Sequence, residues 1–384
     1  MLPDFGSDTF LKQMKQLRGK GVFNSYMMAV TALQQGMTVQ FYRSQAEAGT
    51  DIKHFKPETD NLNFYSIMAA GKVLHFSSSQ SELEGMQAHA VTQNKSVLKY
   101  RLSKNGINVP FGGAATVKDM AVVEKLKAAK VKHVSVKPVT GGGSRGVHLY
   151  QSPDQAIAII KAAPETVFIV EQMVEGAEFR ITASQTDIVS AQMIIPPHVV
   201  GDGESNLQDL ILREGAARAR NPCYMMRPLD TAKILQSMQA QKVDADTVLD
   251  KGQLFRLTLD NMPNRAFREP VLDRLPKRIK DTAKQTVKII DGFVCGLDIF
   301  VDKAGEPYVL DIDAVSGMWF ECFPYPNGEW NLTVPEYILK HHFPRHKRVD
   351  RVIKSYDFTA LRDELLREGR TSKGVNAADF VEFG

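Results

Sequence analysis

The sequence predicts an α/β protein in which helices and antiparallel strands are combined into α+β units. Residues 293–301 and 307–313 predict two β-strands, because both are rich in β-branched and aromatic residues and the turn-forming residues 303–306 lie between them. Residues 26–33 and 94–105 have the apolar spacing of helices. Because such helices and strands follow one another along the chain, we expect layers that combine the two.

The composition is that of an ordinary folded protein. Hydrophobic residues make up 43% of the 384 residues and charged residues 24%, and the length allows two or three domains. The net charge of +4 permits an anionic ligand but does not predict a nucleic-acid-binding surface. The start of the chain carries no secretory signal, and no apolar run is long enough to span a bilayer. We therefore expect neither a nucleic acid nor a membrane as a partner.

The three cysteines favour a reducing compartment. Cys223, Cys295 and Cys322 have no metal-ligand spacing and cannot all pair with one another. No serine–histidine or cysteine–histidine pair has the setting of an activated nucleophile. We therefore expect a cytoplasmic protein whose chemistry does not depend on a covalent intermediate with the chain.

The first 93 residues predict a small α/β domain. A helix is followed by a strand, and two further strands are joined at Ala70 and Gly71. Asn24 and Ser25 precede the apolar part of the helix and are predicted to cap it. Contact of these two residues with a substrate is the alternative.

Lysines and a glycine-rich loop characterise residues 94–176. Lys95 and Lys99 are four residues apart on a predicted helix and share one face, for which a solvated basic surface is the alternative. Ser135 and Lys137 share one face of a predicted strand, and the loop TGGGSRG follows it. Glycines let backbone N–H groups approach phosphate oxygens. The loop does not match a Walker A or a protein-kinase pattern. We interpret it as a phosphate-binding hairpin flap, with a plain mobile turn as the alternative.

The stretch AEFRITAS predicts a strand with one polar and one apolar face. Glu178, Arg180 and Thr182 lie on the polar face. A polar face of this length against an apolar back is typical of a strand that lines a cleft. An exposed ion pair between Glu178 and Arg180 is the alternative.

Three carboxylates share one face of the predicted hairpin. If residue 302 faces residue 307, Asp298 faces Asp311, and Asp313 lies two residues further on the same face. Three such carboxylates repel each other unless a cation lies among them. Carboxylate oxygens are the ligands that Mg²⁺ or Mn²⁺ prefers. The pattern therefore predicts a metal site, with a solvated acidic face as the alternative.

The order of these features resembles that of the ATP-grasp ligases: a helix with two lysines, VKP before a glycine flap, VEQxVEGxExR, and then two acidic strand positions. The resemblance extends from about residue 94 to residue 319. Within the superfamily the chain is similar to the ligase part of cyanophycin synthetase and of bifunctional glutathione synthetases, because IIPPHVVGDGESNLQDLI is like their strand, turn and following helix.

The resemblance implies the ATP-grasp fold, with ATP and Mg²⁺ or Mn²⁺ as cofactors. The implied domains are an N-terminal domain (1–93), a small subdomain with the flap (94–176), a C-terminal subdomain with the metal site (177–345) and a tail (346–384). Lysines and flap glycines would bind phosphates, Glu171 and its successors the adenine edge, and Glu178 the ribose. The implied nucleotide-binding positions are Lys99, Lys137, Gly142, Gly143, Ser144, Gly146, Glu171, Gln172, Met173, Val174 and Glu178, and the metal-binding positions are Asp298, Asp311 and Asp313.

The chain departs from the family pattern at several positions. Asp311 and Asp313 replace the usual Glu and Asn of the ENxxPG motif, so the number or position of the ions is expected to differ. The stretch LFRLTLDNMPNRAF matches the family only loosely. Its Arg256 and Asn261 are, with Lys137, the implied catalytic contacts to the phosphate or acyl group. We expect the charged tail at residues 358–368 to form an ordinary surface helix, with a nucleic-acid-binding arm as the alternative.

The resemblance implies a carboxylate–amine ligase that forms an amide through an acyl phosphate and releases ADP. The substrates are expected to be small molecules, an amino acid or a short peptide, and a homo-oligomer is expected. One alternative is an enzyme whose product is the acyl phosphate itself or a thioester. The other is a protein that binds ATP without turnover, which only the altered acidic motif favours.

Overall fold

The computed structural model describes residues 7–18, 22–42, 47–50, 64–140, 146–225, 228–258, 266–323, 331–353, 356 and 365. The chain forms two compact units. The first unit comprises residues 1–84, 194–270 and 317–384, and the second comprises residues 85–193 and 271–316. The boundaries expected at residues 93, 176 and 345 divide the chain into consecutive segments, whereas each unit combines segments that are distant in the sequence. The expected boundaries stay a prediction.

The helices and strands follow one another along the chain as the sequence pattern predicts. The helices are α1 (Asp8–Arg18), α2 (Phe23–Gln34), α3 (Gln87–Gln93), α4 (Lys95–Lys104), α5 (Ala121–Ala128), α6 (Pro153–Ala162), α7 (Leu207–Ala219), α8 (Thr231–Gln241), α9 (Lys277–Ile289), α10 (Trp319–Cys322) and α11 (Thr333–His342), with a 3₁₀ turn at Leu272–Arg274. The strands are β1 (Thr38–Phe41), β2 (Phe64–Ala69), β3 (Lys72–Ser77), β4 (Gln80–Ser81), β5 (Gly112–Ala115), β6 (Val134–Pro138), β7 (His148–Gln151), β8 (Phe168–Gln172), β9 (Gly176–Ala183), β10 (Ile188–Ile195), β11 (His198–Val200), β12 (Leu254–Arg256), β13 (Phe267–Pro270), β14 (Cys295–Asp302) and β15 (Pro307–Asp313).

In the first unit, β1 to β4 form an antiparallel sheet in chain order. The predicted turn between β2 and β3 is confirmed, and Ala70 and Gly71 both have positive φ angles, 49° and 76°. Two consecutive residues with positive φ are the requirement of the tight hairpin turn whose twist matches that of the strands. No helix among the described residues is long and apolar enough to cross a membrane.

The expected capping role of Asn24 and Ser25 is wrong. Helix α2 begins at Phe23, whose ring is stacked on that of Trp319 at 3.7 Å between centroids. Asn24 and Ser25 therefore lie within the first turn, and Val22 at the cap position makes no side-chain capping hydrogen bond. Asn24 instead accepts a hydrogen bond from the backbone N–H of Met318 through Oδ1.

The second unit contains two antiparallel arrangements, each packed on its own apolar core. Strands β5, β8, β6 and β7 form one sheet in that order, and helices α5 and α6 contribute to its core. Strands β10, β9, β14 and β15 follow one another in the other sheet, and α3, α4 and α9 contribute to its core. Polar residues on the remaining faces of these strands form the site described below.

The hairpin of β14 and β15 contains a β-bulge. Val301 faces Pro307 next to the turn, whereas Asp298 faces Asp311 beyond a register shift next to Ile299. A bulge adds one residue to one strand and moves every following side chain to the other face. The pairing of Asp298 with Asp311 is the predicted one.

Candidate active site

Two lysines from different elements converge on one buried glutamate in the second unit. Lys99 lies on α4, Lys137 near the end of β6 and Glu171 near the end of β8. Nζ of Lys99 is 2.5 Å from Oε2 of Glu171, and Nζ of Lys137 contacts Oε1 of the same carboxylate. The side chain of Glu171 is 3% exposed, and the lysines are 10% and 12% exposed. The three residues therefore form a buried group with two positive charges and one negative charge.

The pairing of β6 with β8 positions this group. Ser135 faces Glu171 and Lys137 faces Ile169 across the two strands. Because alternate residues point to the same side of a sheet, Ser135, Lys137 and Glu171 share one face, as predicted for the first two. The hydroxyl of Ser135 donates to Oε1 of Glu171 at 3.4 Å.

The start of α4 directs a third lysine to an aspartate. Asn94 caps the helix, since its Oδ1 accepts hydrogen bonds from two backbone N–H groups of the first turn. Nζ of Lys95, the first residue of the helix, is 2.9 Å from Oδ2 of Asp311, and the lysine side chain is 12% exposed. The face shared by Lys95 and Lys99 therefore carries two largely buried ion pairs, which excludes a solvated basic surface.

Three neighbouring strands place a guanidinium beside the carboxylates. Arg180 of β9 faces Asp298 of β14, which faces Asp311 of β15. Nη1 of Arg180 is 2.9 Å from Oδ1 of Asp298, and Nη2 is 2.5 Å from Oδ2 of Asp313. The guanidinium thus bridges two of the three predicted metal ligands, and the Arg180 side chain is 11% exposed.

Gly296 provides the space that this bridge requires. It faces Thr182 on one side and Asp313 on the other. A Cβ atom at position 296 would lie 2.3 Å from Nη2 of Arg180 and 2.8 Å from Oγ of Ser316. Both separations are shorter than any real Cβ contact, so the guanidinium can reach Asp313 only over a glycine.

Electrostatic interactions link the lysine group to Asp298 and Asp311, which together with Asp313 we call the acidic row. Burial lowers the pKa of Lys99, and the carboxylates of Glu171 and Asp311 offset this only in part. Burial also acts to lower the pKa of Lys137, but Glu171, Asp311 and Asp298 outweigh it and raise that pKa. Asp311 thus acts on both lysines and Asp298 on Lys137, and such interactions between charges weaken with distance.

Burial makes Cys295, the cysteine of the second unit, a poor nucleophile. Cys223, Cys295 and Cys322 are all buried and none forms a disulfide. Burial, with a smaller contribution from Asp313, raises the pKa of Cys295 to about 12, so that thiol is protonated at neutral pH.

Comparison with known proteins identifies the architecture. No known protein-family profile matches the chain. The bifunctional glutathione biosynthesis protein GshAB of Listeria welshimeri is 23% identical over 250 residues, which cover 61% of this chain and 32% of the relative. That of Clostridium perfringens is 22% identical over 299 residues, covering 72% and 37%. This chain therefore spans about a third of the length of these relatives.

A solved structure shows the same arrangement of elements. The crystal structure of a bifunctional glutathione synthetase from Pasteurella multocida aligns with 74% of this chain and 40% of its own, with a TM-score of 0.55 and 18% identity. This chain has the ATP-grasp fold. The predicted resemblance to the bifunctional glutathione synthetases is confirmed at the level of the fold.

The ATP-grasp positions expected to bind the nucleotide are described only in part. Gly142, Gly143 and Ser144 of the flap lie outside the described residues. Gly146, at the end of the flap, has a φ angle of 69°, which favours glycine.

The positions expected at the adenine and ribose lie at the end of β8 and on β9. The carboxylate of Glu171 is bound by two lysines, and the backbone N–H of Met173 donates to the carbonyl of His133. Gln172 ends β8, and its N–H donates to the carbonyl of Phe111. A contact with adenine would therefore use other backbone groups of residues 172 to 174, including those of Val174. Glu178 lies on β9 two residues before Arg180.

Of the two loosely matched catalytic positions, Arg256 alone is among the described residues. Arg256 ends β12 in the first unit, whereas the lysines and aspartates belong to the second. Asn261 lies outside the described residues. Their contact with a phosphate or acyl group stays a prediction.

The acidic row fits a divalent cation that arrives with a nucleotide. Asp298, Asp311 and Asp313 are 37%, 33% and 60% exposed and offer the hard oxygen atoms that Mg²⁺ prefers. Within the described part of the chain, no three His, Cys, Asp or Glu side chains lie close enough to hold one ion. The sequence predicts a metal ion among these carboxylates, and the described structure places the cationic side chains of Arg180 and Lys95 against them. The donors thus suit an ion held by one or two carboxylates and completed by phosphate oxygens.

Sequence reasoning missed the role of Arg180. The sequence predicts its polar face on β9, with an exposed ion pair to Glu178 as the alternative. The structure pairs it with Asp298 and Asp313. The arginine of the VEGxExR pattern, in alternation with Glu178, is the signal that would have placed it in the site.

Proposed function

We propose that this ATP-grasp chain is an ATP-dependent carboxylate–amine ligase. A substrate carboxylate would attack the γ-phosphorus of ATP to give an acyl phosphate and ADP, and an amine would then displace the phosphate and form an amide. The convergence of Lys99 and Lys137 on Glu171, beside the acidic row, is the observation that carries the proposal. Similarity to bifunctional glutathione biosynthesis proteins supports an amino acid or a short peptide as substrate.

The two lysines would neutralise the phosphate oxygens of ATP. Phosphoryl transfer depends mainly on positioning and on cancellation of charge, which ammonium groups fixed in a buried site provide. Glu171 carries one negative charge against two positive charges, so the group retains a net positive charge for an anionic ligand. We therefore assign Glu171 first to holding the lysines in place, rather than to the adenine edge.

Asp298 and Asp311 would hold Mg²⁺ or Mn²⁺, with Asp313 beside them. The ion, when bound, supplies further neutralisation of phosphate charge. The chain's own contribution is to fix the carboxylates on one face through the bulged hairpin. Gly146 and the flap it ends would exclude water, because an acyl phosphate exposed to water hydrolyses.

The experiment that tests the proposal measures ADP release from ATP and Mg²⁺ with a panel of amino acids and dipeptides, with mass spectrometry of each mixture. A condensed product that appears together with ADP is the expected result. Lys99→Met should abolish release, whereas Lys104→Met, on the exposed end of the same helix, should not. ADP release that proceeds equally in Lys99→Met would contradict the assignment of the lysines.

The same assay separates the alternatives. Hydroxamate formed with hydroxylamine and carboxylate alone, and no amide with any amine, would favour a product that is the acyl phosphate or a thioester. ATP binding without ADP release in every mixture would favour the sensor. Sedimentation analysis tests the expected homo-oligomer.

A further inference from the structure

Arg180 occupies the carboxylates that a divalent cation would need. Its guanidinium lies 2.9 Å from Asp298 and 2.5 Å from Asp313. The side chain is largely buried and is seated over Gly296, where no side chain could stand without displacing it. The position of the guanidinium is therefore built into the sheet and is not an incidental surface contact.

The charges of the acidic row are already mostly balanced without a metal. Three carboxylates face two cations, since Lys95 is bound to Asp311 and Arg180 bridges the other two aspartates. A divalent cation bound to Asp298 would lie beside the guanidinium, and like charges at such separations repel. When the cation binds together with nucleotide phosphates, the negative charge of the phosphates offsets its repulsion from the guanidinium.

We infer that Arg180 is a positioning residue that competes with the metal for Asp298 and Asp313, so that the bare ion binds weakly and the ion with its nucleotide binds well. This inference rests on the proposed ATP-dependent function. The metal would therefore bind together with the nucleotide. Binding of a free metal ion in the absence of nucleotide would be weak.

Titration of the full chain with Mn²⁺ alone tests the inference, with free Mn²⁺ followed by electron paramagnetic resonance. Arg180→Met removes the charge and keeps much of the length of the side chain. We expect this variant to bind Mn²⁺ at least about tenfold more tightly than the wild type, as for a typical coupling between two ligands. A purely structural role of Arg180 would instead leave the affinity unchanged or lower it, and either result would overturn the inference.

Three further variants locate and control the effect. Arg278→Met removes a guanidinium paired with Glu306 in the same unit, and it should leave Mn²⁺ affinity at the wild-type value. Arg180→Gln serves as a second neutral replacement if the methionine variant does not fold. Adding Asp298→Asn to Arg180→Met should remove the gain. A gain that persists in this double variant would place the ion elsewhere and overturn the inference.

A separate titration distinguishes failure of the inference from failure of the proposed function. The wild type is titrated with the non-hydrolysable analogue adenylyl imidodiphosphate in the presence of Mn²⁺. No binding of the analogue would contradict the proposed function, whatever the Mn²⁺ affinities are. Binding of the analogue, together with equal Mn²⁺ affinities of wild type and Arg180→Met, would contradict the inference alone.

Discussion

Asp298 faces Asp311 across the β14–β15 hairpin because a β-bulge shifts the register beside Ile299. On the turn side of the bulge Ile299 faces Val309, so Leu310 is the extra residue. If the register next to the turn continued without a bulge, Asp298 would face Leu310. The alternation of the strand would then turn Asp311 to the opposite face. The bulge therefore brings the two aspartates together.

Replacement of Asp311 should abolish ADP formation while the fold is retained. Asp311→Ala removes a carboxylate that is proposed to bind the metal and that also pairs with Lys95. Loss of one group that stabilises charge in a transition state typically lowers the rate about 100- to 1,000-fold. ADP release and circular dichroism measure activity and fold. Glu306→Gln, which removes a carboxylate at the turn of the same hairpin, is the matched control. Normal turnover of Asp311→Ala would contradict the metal assignment.

The pairing of Asp298 with Asp311 was predicted correctly from a register that is wrong at the turn. The prediction placed residue 302 opposite residue 307, whereas Val301 faces Pro307. The predicted register is therefore off by one residue next to the turn. The bulge shifts the observed register by one residue between Ile299 and Asp298, and this shift cancels the error at Asp298. Alternation of polar and apolar residues indicates which face of the sheet a side chain lies on. A bulge depends on how two strands pair, so the sequence of a single strand does not predict it.

The elements and several faces of the site could be predicted from the sequence, but the ion pairs could not. Local patterns placed Lys99 on a helix and Lys137 and Arg180 on strands, as observed. The order of strands in the sheet decides that β9 lies next to β14, and with it that Arg180 meets Asp298. This order depends on packing between distant segments, which no local pattern contains.

Removal of the charge of Glu171 should destabilise the protein. Glu171→Gln leaves Lys99 and Lys137 without their buried counter-charge, and breaking a buried ion pair from one side costs about 3–5 kcal/mol. The midpoint of urea-induced unfolding measures the loss. The double variant Lys99→Met with Glu171→Gln should lose less than the two single variants together, since it also removes one of the unpaired charges. Additive losses would show that the lysine and the glutamate do not interact.

An alanine at position 296 should disturb the site through Arg180. Because the new Cβ would lie 2.3 Å from Nη2 of Arg180, the guanidinium must leave Asp313 or the strands must shift. The nearest atoms are the ends of the Arg180 and Ser316 side chains, which can move aside, so we expect a cost near or below the lower end of the ~1–3 kcal/mol of overpacking. Gly215→Ala is the control, because nothing lies within 4 Å of a Cβ there and α7 should gain about 0.5–1 kcal/mol. A gain in stability of Gly296→Ala as large as that of Gly215→Ala would show that this close packing is absent, because a glycine within a strand also destabilises relative to alanine.

Glu171 should make the stability of the protein depend on pH in acid. Burial acts to raise the pKa of Glu171, but Lys99 and Lys137 outweigh it and lower the pKa below the usual value, which is about 4.3 in unfolded chains. The unfolded state therefore takes up this proton first as the pH falls. The stabilisation is complete above about pH 4.3 and is lost as the pH falls through the lower pKa of the folded state.

Urea unfolding at a series of pH values from 6 to about 3 tests this dependence. One proton taken up by the unfolded state alone changes the free energy of unfolding by about 1.4 kcal/mol per pH unit. The wild type should therefore lose stability more steeply below about pH 4.3 than Glu171→Gln, which has no group to titrate at this position. Other carboxylates contribute equally to both proteins, so the difference between the two slopes isolates Glu171. Parallel slopes would mean that the lysines do not lower the pKa of this glutamate.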